Sequence, residues 1–359
     1  MSNKIFDRVL HEINRGKEGK NVGLPYGIPE LIEYMPNIQQ STYYAVAGEP
    51  ASMKTALTDY MFMYSPFDWY MENKHLSNIK IKLVYWSFEI SVEAKITKGV
   101  CQRIWKQFKI LTDVNYVLSK GKNRISQEIY EKVLLTRNYF DELHDILEIH
   151  DVATNPTGIT KRLEQIALEN GVEEKVNEYT KIYRPHNPDL YFMTIIDHIK
   201  LQKSQSGLDT KGLIDFTSNK CIEYRNRYKM IPIIVSQFNR SLASAQRELS
   251  TSAKPNYDRI KPQLSDLADS SAIAQDANVI LSIFSPNRYS IPNYLGYDIT
   301  KLADRVRFID FLKSRDGVPE VSKAVAALGE IGLFQSLPAP SLMQENHYSS
   351  LKNLKKYNN

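Results

Sequence analysis

The sequence lacks the features that mark disulfide-stabilised, zinc-binding and membrane-spanning proteins. Its two cysteines, Cys101 and Cys221, lie far apart without CxxC spacing or a nearby histidine pair, so neither a disulfide scaffold nor a zinc site is expected. It has no apolar run of about 18 residues, the length that a membrane-spanning helix requires. The N-terminus is charged and amphipathic, unlike a secretory signal peptide. These absences predict a cytoplasmic protein that makes no membrane contact.

What is present is the composition of a folded, mildly basic protein. The chain has 359 residues, of which 42% are hydrophobic, and this excludes a disordered protein. Its formal net charge of +5 is compatible with a polyanionic partner without indicating one. The length suits a single α/β core with an appendage or an insertion.

Apolar segments of strand length alternate with segments of helical periodicity. The pattern predicts strands at 42–47, 79–88, 145–151, 189–197, 231–237, 278–284 and 305–313. Strands this apolar, separated by helices such as 211–229, are typical of a mostly parallel sheet covered on both faces. The sequence therefore predicts an α/β fold.

The two ends of the chain differ from this pattern. Residues 2–14 form an amphipathic helix with one apolar stripe, made of Ile5, Phe6, Val9, Leu10 and Ile13. The surface that covers this stripe belongs either to the core or to a neighbouring subunit. We expect a helix and linker at 1–20, a main domain at 21–334 and a flexible polar tail at 335–359.

The loop after the first predicted strand has the composition of a phosphate-binding loop. Its sequence GEPASMKT fits the pattern G-x-x-x-x-G-K-[ST] at Gly48, Lys54 and Thr55. Such a loop places backbone N–H groups and a lysine on phosphate oxygens, while a hydroxyl binds Mg²⁺. The sequence therefore predicts an ATP and Mg²⁺ site whose nucleotide-binding residues are Gly48, Glu49, Pro50, Ala51, Ser52, Met53, Lys54, Thr55 and Ala56.

Met53 departs from this pattern, because the pattern has glycine at this position. Glycine lets the loop curl closely around an anion, and a side chain there is expected to weaken nucleotide binding. The departure keeps a second hypothesis open, namely a nucleic-acid-binding or assembly protein that retains the fold without hydrolysing ATP.

Two acidic residues follow apolar strands. Asp197 ends the strand of TIIDHIKLQ, and Glu89 ends the strand of WSFEIS. Since the carboxyl ends of parallel strands lie on the ligand-binding edge of a sheet, both acids are expected beside the phosphate loop. An ATPase needs one acid near Mg²⁺ and one that activates water, and Asp197 and Glu89 are the two candidates for these roles.

At this point the chain resembles the motor domain of DnaB-like replicative helicases, which has a RecA-like fold. The segments AGEPASMKT, YWSFEIS, TIIDHIKLQ, IVSQFNRSL, KPQLSDLADSSAIAQDANVILSIF and FLKSRDGVP are similar to family segments in the same order. The resemblance extends over about residues 22–320. It leaves 171–190 as an insertion, and the family's N-terminal helical domain has no counterpart in the sequence.

The resemblance implies further site residues and partners. Glu89 would be the catalytic base, Asp197 would lie near Mg²⁺, and Gln237 would sense the γ-phosphate. Lys313 and Arg315 would enter the ATP site of the adjacent subunit. It also implies a hexameric ring on single-stranded DNA, with a primase or a helicase loader as partner. The N-terminal helix would then correspond to the linker helix that docks on the next subunit.

Two basic segments are expected to contact the DNA backbone without reading sequence. The first, at 203–211, carries Lys203 and Lys211. The second, at 239–261, carries Arg240, Arg247, Lys254, Arg259 and Lys261. We therefore expect an ATP-dependent helicase motor. A recombinase-like ATPase of the RecA type, which forms filaments, is the alternative within the same fold.

Overall fold

The apolar segments of the sequence form a central sheet in the computed structural model, which describes residues 5–178, 181–238, 261–315, 317 and 321–357. Numbered along the chain, the strands are β1 Tyr44–Gly48, β2 Lys80–Ser87, β3 Leu147–His150, β4 Gly171–Lys175, β5 Lys181–Pro185, β6 Leu190–Asp197, β7 Ile231–Gln237, β8 Val279–Phe284, β9 Asn293–Tyr294, β10 Tyr297–Asp298, β11 Val306–Ser314, β12 Ser322–Leu328 and β13 Leu333–Ser336. Within the described residues, nine of them form one sheet in the order β13-β12-β11-β8-β1-β7-β6-β2-β3.

The sheet is mostly parallel, as the sequence predicts. Strands β8, β1, β7, β6, β2 and β3 run parallel, whereas β11, β12 and β13 extend the sheet in antiparallel pairs. Strands β12 and β13 were not predicted. The alanines of SKAVAAL give a weak strand signal, because alanine has low β-propensity, so packing in the fold decides their conformation.

Helices cover both faces of the sheet. They are α1 Ile5–Lys17, α2 Lys54–Asp59, α3 Ser65–Asn73, α4 Val92–Phe108, α5 Val114–Val117, α6 Gln127–Leu135, α7 Arg137–Ile146, α8 Pro156–Glu169, α9 Thr210–Tyr228, α10 Ser271–Asp276, α11 Ile299–Leu302 and α12 Glu345–Lys352. In β1, Tyr44 and Val46 enter one apolar core, whereas Ala45 and Ala47, together with Tyr43 just before the strand, enter the other. This alternation explains why the strand is apolar at every position.

The parallel strands give the sheet two functionally different edges. We call the edge at which β1, β2, β6 and β7 end the carboxyl edge, and the edge at which they begin the amino edge. Gly48, Ser87, Asp197 and Gln237 are the last residues of these four strands. Loops that follow them therefore meet on one side of the molecule, where ligands bind in open α/β sheets.

The apolar stripe of α1 does not pack on the core of its own chain. No residue of α1 is buried, and Phe6 is 69% exposed. Its polar residues make the contacts with the core: Arg15 donates to Asp189 at 2.7 Å, and Lys229 pairs with Glu12 at 3.4 Å. Of the two surfaces that the sequence left open, the core of the same chain, as far as the structure describes it, does not cover the stripe.

The C-terminal region differs from the expected flexible tail at 335–359. Strand β13 ends at Ser336, and α12 follows at Glu345–Lys352. Tyr348 and Leu351 of this helix pack on an apolar cluster that contains Phe308. Few apolar residues anchor this segment, so its sequence shows no helical period although the core holds it in place.

Residues 171–190, expected as an insertion, contain the antiparallel hairpin of β4 and β5, which forms a sheet of its own. Strands β9 and β10 form a second small hairpin. Among the helices that the structure describes, none has the length and apolar character needed to cross a membrane.

Candidate nucleotide-binding site

The predicted phosphate loop lies at the carboxyl edge, between β1 and the start of α2. Gly48 begins the loop where the backbone passes close to other atoms. A Cβ atom at this position would lie 2.5 Å from the Ser52 hydroxyl and 3.2 Å from the Ile283 carbonyl oxygen. A side chain here would displace the Ser52 hydroxyl and crowd the Ile283 backbone, so this part of the phosphate-loop pattern has a direct steric reason.

Met53 adopts the left-handed conformation that the glycine of the pattern would supply. Its φ and ψ angles are 78° and 21°, and it precedes the first residue of α2. Its side chain lies beside the turn between β12 and β13. Its Sδ and Cε atoms are each 3.6 Å from the point that a Cβ atom would occupy at Gly329. The methionine therefore preserves the path of the loop at a cost in backbone strain of about 1–2 kcal/mol.

The inner part of the loop has polar groups without protein partners. The buried Lys54 ammonium has no hydrogen bond or ion pair with any described residue, and the buried Ser52 hydroxyl likewise has none. Burial lowers the pKa of Lys54, while the charges of Glu89 and Asp197 act in the opposite direction. A buried cation at a helix N-terminus, beside an unpaired hydroxyl, fits a phosphate group.

The outer part of the loop is tied to the segment that follows β8. The Tyr289 hydroxyl donates to Glu49 Oε1 at 2.5 Å, and Arg288 donates to the Pro50 carbonyl oxygen at 2.6 Å. Arg288 also lies 3.8 Å from Glu49 Oε2. Since these contacts occupy Glu49 and Pro50, the loop is anchored on its outer side while Lys54 stays available to a ligand.

Thr55 and Asp197, the predicted metal ligands, are brought together. The Thr55 hydroxyl donates to Asp197 Oδ1 at 3.2 Å, and Asp197 is fully buried. Burial is the main reason why the pKa of Asp197 is raised to about 6, although the Lys95 charge opposes it. A hydroxyl and a carboxylate oxygen this close form a donor set that Mg²⁺ accepts together with phosphate and water oxygens.

Glu89 lies in the exposed loop between β2 and α4. The backbone N–H of Phe88 donates to the Asp197 carbonyl oxygen at 2.7 Å, which ties this loop to the end of β6. The Glu89 side chain is exposed, and its charge acts on both Lys54 and Asp197. Its position therefore agrees with the predicted placement of both acids at one edge.

Gln237 ends β7, next to the phosphate loop. It is the register partner of Gly48, and the Phe238 N–H donates to the Gly48 carbonyl oxygen at 3.1 Å. Its side chain hydrogen-bonds to His198, whose pKa burial lowers to about 4. Gln237 thus connects β1 with the end of β6, and the predicted DNA-binding segment at 239–261 follows it closely in the sequence.

Lys313 and Arg315 lie at the amino edge, away from the phosphate loop of their own chain. Lys313 donates to the carbonyl oxygens of Ala274 and Gln275 at 2.8 and 2.7 Å, and Arg315 donates to that of Gln275 at 3.0 Å. Because Ser314 pairs with Val279 at the start of β8, the length of a strand, about 13 Å, separates this end of β11 from the loop.

The structure describes three of the predicted DNA contacts. Lys203 and Lys211 are exposed at the carboxyl edge, after β6 and in the first turn of α9. Lys261 is instead partly buried, and its charge lowers the pKa of Asp310 against the larger effect of burial. The others lie outside the described residues; they are Arg240, Arg247, Lys254 and Arg259.

Sequence reasoning missed a group of residues next to Asp197. Asp59 of α2, Tyr85 of β2 and Lys95 of α4 form a buried hydrogen-bonded cluster beside its carboxylate. A lysine near the start of an amphipathic helix is usually a surface residue, so no local pattern signals this cluster.

Comparisons with known proteins agree with this fold and site. No curated protein matches the chain significantly. Among solved structures, one ATPase domain has a TM-score of 0.66 and 18% identity over 94% of this chain and 100% of its own. A structure of a DnaB-like replicative helicase and its interactions with primase has the same TM-score and identity, over 94% of this chain and 69% of its own.

These similarities define the class of protein first: the fold is that of a RecA-type ATPase domain. The family follows from the sequence, because residues 23–324 match the model of the DnaB-like helicase C-terminal domain. The chain belongs to that family.

Proposed function

We propose that the chain is an ATP-driven helicase motor that hydrolyses ATP at the seam between two subunits of a ring. The observation that carries this proposal is the separation of two sets of residues on opposite edges of one sheet. Lys54, Thr55 and Asp197 lie at the carboxyl edge, and Lys313 and Arg315 at the amino edge. One copy cannot bring both sets to a single nucleotide, whereas two adjacent copies can.

Each residue at the carboxyl edge has a role that its position supports. The loop from Gly48 to Ala56 binds the triphosphate, and Lys54 neutralises its charge. Thr55 and Asp197 would hold Mg²⁺, which would supply charge neutralisation for the phosphates. Glu89 orients a water molecule and accepts its proton, a role for which an exposed carboxylate beside the loop is suited.

The neighbouring subunit contributes cations. Lys313 and Arg315 of one copy stabilise the charge on the phosphoryl group that is bound to the next copy, as basic residues do in other phosphoryl-transfer sites. Gln237 reports loss of the γ-phosphate to the segment at 239–261, because it lies where β7 ends and that segment begins. Lys203 and Lys211, exposed at the same edge, hold the single-stranded DNA backbone.

The exposed stripe of α1 supports assembly of copies. Ile5 is 73% exposed and Phe6 is 69% exposed, on a helix that touches its own core through polar side chains. Contiguous apolar surface of this kind marks an interaction site. We infer that it packs on the adjacent copy of a hexamer, and that a primase or a helicase loader acts on this assembly.

The decisive experiment is ATP hydrolysis measured with and without single-stranded DNA. Hydrolysis should rise with DNA in the parent protein and fall by at least about a hundredfold in Lys54→Ala and in Glu89→Gln. Glu93→Gln is the matched control, because Glu93 is also exposed and lies in the first turn of α4. Electron micrographs with a nonhydrolysable nucleotide should show closed rings.

Two outcomes would favour the other functions. If the parent binds nucleotide and DNA but shows no turnover under any condition, the hydrolysis-deficient assembly protein is correct. If hydrolysis occurs on open filaments and never on closed rings, the protein is a recombinase-like ATPase.

A further inference from the structure

A closed cluster of charged and hydroxyl groups lies behind Asp197. The Lys95 ammonium donates to Asp59 Oδ1 at 3.0 Å and to Asp59 Oδ2 at 3.1 Å. It also donates to the Tyr85 hydroxyl at 2.9 Å. That hydroxyl lies 2.7 Å from Asp59 Oδ1 and 3.3 Å from Asp197 Oδ2, so it can donate to either carboxylate.

Burial makes this cluster unusual. The Lys95 side chain has 0% exposure, and Tyr85 and Asp197 are also fully buried. An ion pair at such a depth is seldom more stabilising than apolar side chains of the same size, because both charges lose their water. Fold stability alone therefore gives little reason for Lys95 and Asp59 to be charged.

The cluster approaches one oxygen of Asp197 and leaves the other to Thr55. Oδ1 accepts the Thr55 hydroxyl at 3.2 Å, whereas Oδ2 lies 3.3 Å from the Tyr85 hydroxyl and 3.9 Å from the Lys95 ammonium. Contacts at both oxygens fix the rotation of the carboxylate. Since Lys95 donates to both oxygens of Asp59, that acid has hydrogen-bond donors other than the tyrosine, whose single proton can be given to Asp197.

We propose that Lys95, Asp59 and Tyr85 are positioning residues that hold the Asp197 carboxylate with Oδ1 beside Thr55 and thereby set the affinity of the site for Mg²⁺. This inference rests on the proposed function, because it requires that Thr55 and Asp197 hold the metal. Partners of this kind, behind a metal ligand, commonly change metal affinity by about 10–100-fold when they are removed.

The test is the binding of a fluorescent ATP analogue at increasing Mg²⁺ concentration. Tyr85→Phe removes only the hydroxyl, so the packing of the ring is kept. We expect the Mg²⁺ concentration at half-maximal binding to rise by about tenfold. Binding in the presence of EDTA, which depends on Lys54 and the loop backbone, should stay the same.

Tyr44→Phe is the matched control. Tyr44 is also a fully buried tyrosine, on β1 of the same sheet, but its hydroxyl accepts the Gln39 N–H at 3.1 Å, at the amino edge. This variant should keep the Mg²⁺ midpoint of the parent even if its thermal stability falls.

A second variant tests the charged pair without leaving one charge alone in the core. The double substitution Asp59→Leu with Lys95→Met replaces both charges by apolar groups, which buried pairs generally tolerate. It should also raise the Mg²⁺ midpoint, because Asp197 Oδ2 loses the Lys95 ammonium that lies 3.9 Å away and helps to hold the carboxylate in place.

The outcomes separate this inference from the proposed function. A parent whose nucleotide binding ignores Mg²⁺ overturns both. A parent that responds to Mg²⁺, together with a Tyr85→Phe variant whose midpoint stays within about twofold of the parent, overturns the positioning role alone. A shift in both the phenylalanine and the double variant, but not in Tyr44→Phe, supports it.

Discussion

The two edges of the sheet carry different halves of the proposed chemistry. At the carboxyl edge, Lys54 and Asp197 are buried charges that the core holds in place. At the amino edge, Lys313 is half-buried and Arg315 is exposed, and both donate to backbone carbonyl groups at the end of α10. In the proposed ring, the nucleotide-binding half of the site would therefore be preorganised within one chain, and the basic pair would serve the next copy.

The amino edge also carries the helix whose apolar side lacks a cover within its own described chain. Arg15 and Glu12 of α1 contact Asp189 and Lys229, which closely precede β6 and β7. Polar anchors thus hold α1 beside the edge that carries the basic pair. Both features support the proposal that this edge meets another copy.

The largest expected effect comes from placing a defect of the carboxyl edge and a defect of the amino edge on different subunits. Glu89→Gln and Arg315→Ala should each lower DNA-stimulated ATP hydrolysis by at least about a hundredfold. In a ring formed from equal amounts of the two variants, about one interface in four combines an intact loop with an intact basic pair. Mixing should therefore restore a measurable rate, read in the same hydrolysis assay.

A mixture of Glu89→Gln with Lys54→Ala is the control, since both defects lie at the carboxyl edge. Every interface in it has a damaged loop, so no activity should return. If the mixture of Glu89→Gln and Arg315→Ala is also inactive although mixed rings form, the two edges do not meet across subunits. The proposal that they form one shared ATP site would then be wrong.

The second prediction concerns assembly. Val9→Asp places a carboxylate in the exposed apolar stripe of α1, where a copy that packs on it would have to bury the charge. We expect the subunit concentration needed for ring formation to rise by at least about tenfold. Light scattering across a dilution series measures this directly.

His11→Asp adds the same charge to the opposite side of the same helix and should leave assembly close to that of the parent. Neither substitution touches the buried core, so the melting temperature of the isolated subunit should stay the same. Equal effects of the two variants would show that the apolar stripe is not the contact surface.

The sequence predicted the carboxyl edge better than the amino edge, for a physical reason. Gly48, Lys54, Asp197 and Gln237 each lie at or just after the end of an apolar strand, and parallel strands bring their ends together whatever the surrounding packing. The position of Lys313 depends instead on β11 running antiparallel to β8, and no local pattern specifies that direction.

The buried cluster behind Asp197 and the C-terminal helix α12 could not be predicted from the sequence, for a different reason. Asp59 of α2 and Lys95 of α4 are 36 positions apart in the chain and are brought into contact only by tertiary packing. Tertiary packing likewise orders α12, whose sequence alone shows no apolar period.

Met53 allows a sharper test of how the carboxyl edge is preorganised. Met53→Gly removes the left-handed strain and Met53→Ala retains it, while both remove the packing of the thioether beside Gly329. The glycine variant should therefore have a free energy of unfolding about 1 kcal/mol higher than the alanine variant. Chemical denaturation of both proteins gives this difference.

Nucleotide affinity should change by less than about tenfold in either variant, because the Met53 side chain lies beside the β12–β13 turn. A much larger gain of hydrolysis in Met53→Gly would mean that the native loop is impaired. It would then favour the hydrolysis-deficient protein as the native function.

The smallest expected effect concerns the amino edge. Lys313 donates to the carbonyl oxygens of Ala274 and Gln275 at the end of α10, and a cation at a helix C-terminus typically contributes about 0.3–1 kcal/mol. Lys313→Ala should therefore lower the free energy of unfolding by about 0.5 kcal/mol, measured by chemical denaturation, while its loss of ATP hydrolysis is far larger. If unfolding is instead easier by more than about 2 kcal/mol, the lysine is needed to hold β11 against α10. Its effect on hydrolysis would then reflect a distorted amino edge. Arg315 alone would then support the proposal that this edge supplies a cation to the next copy.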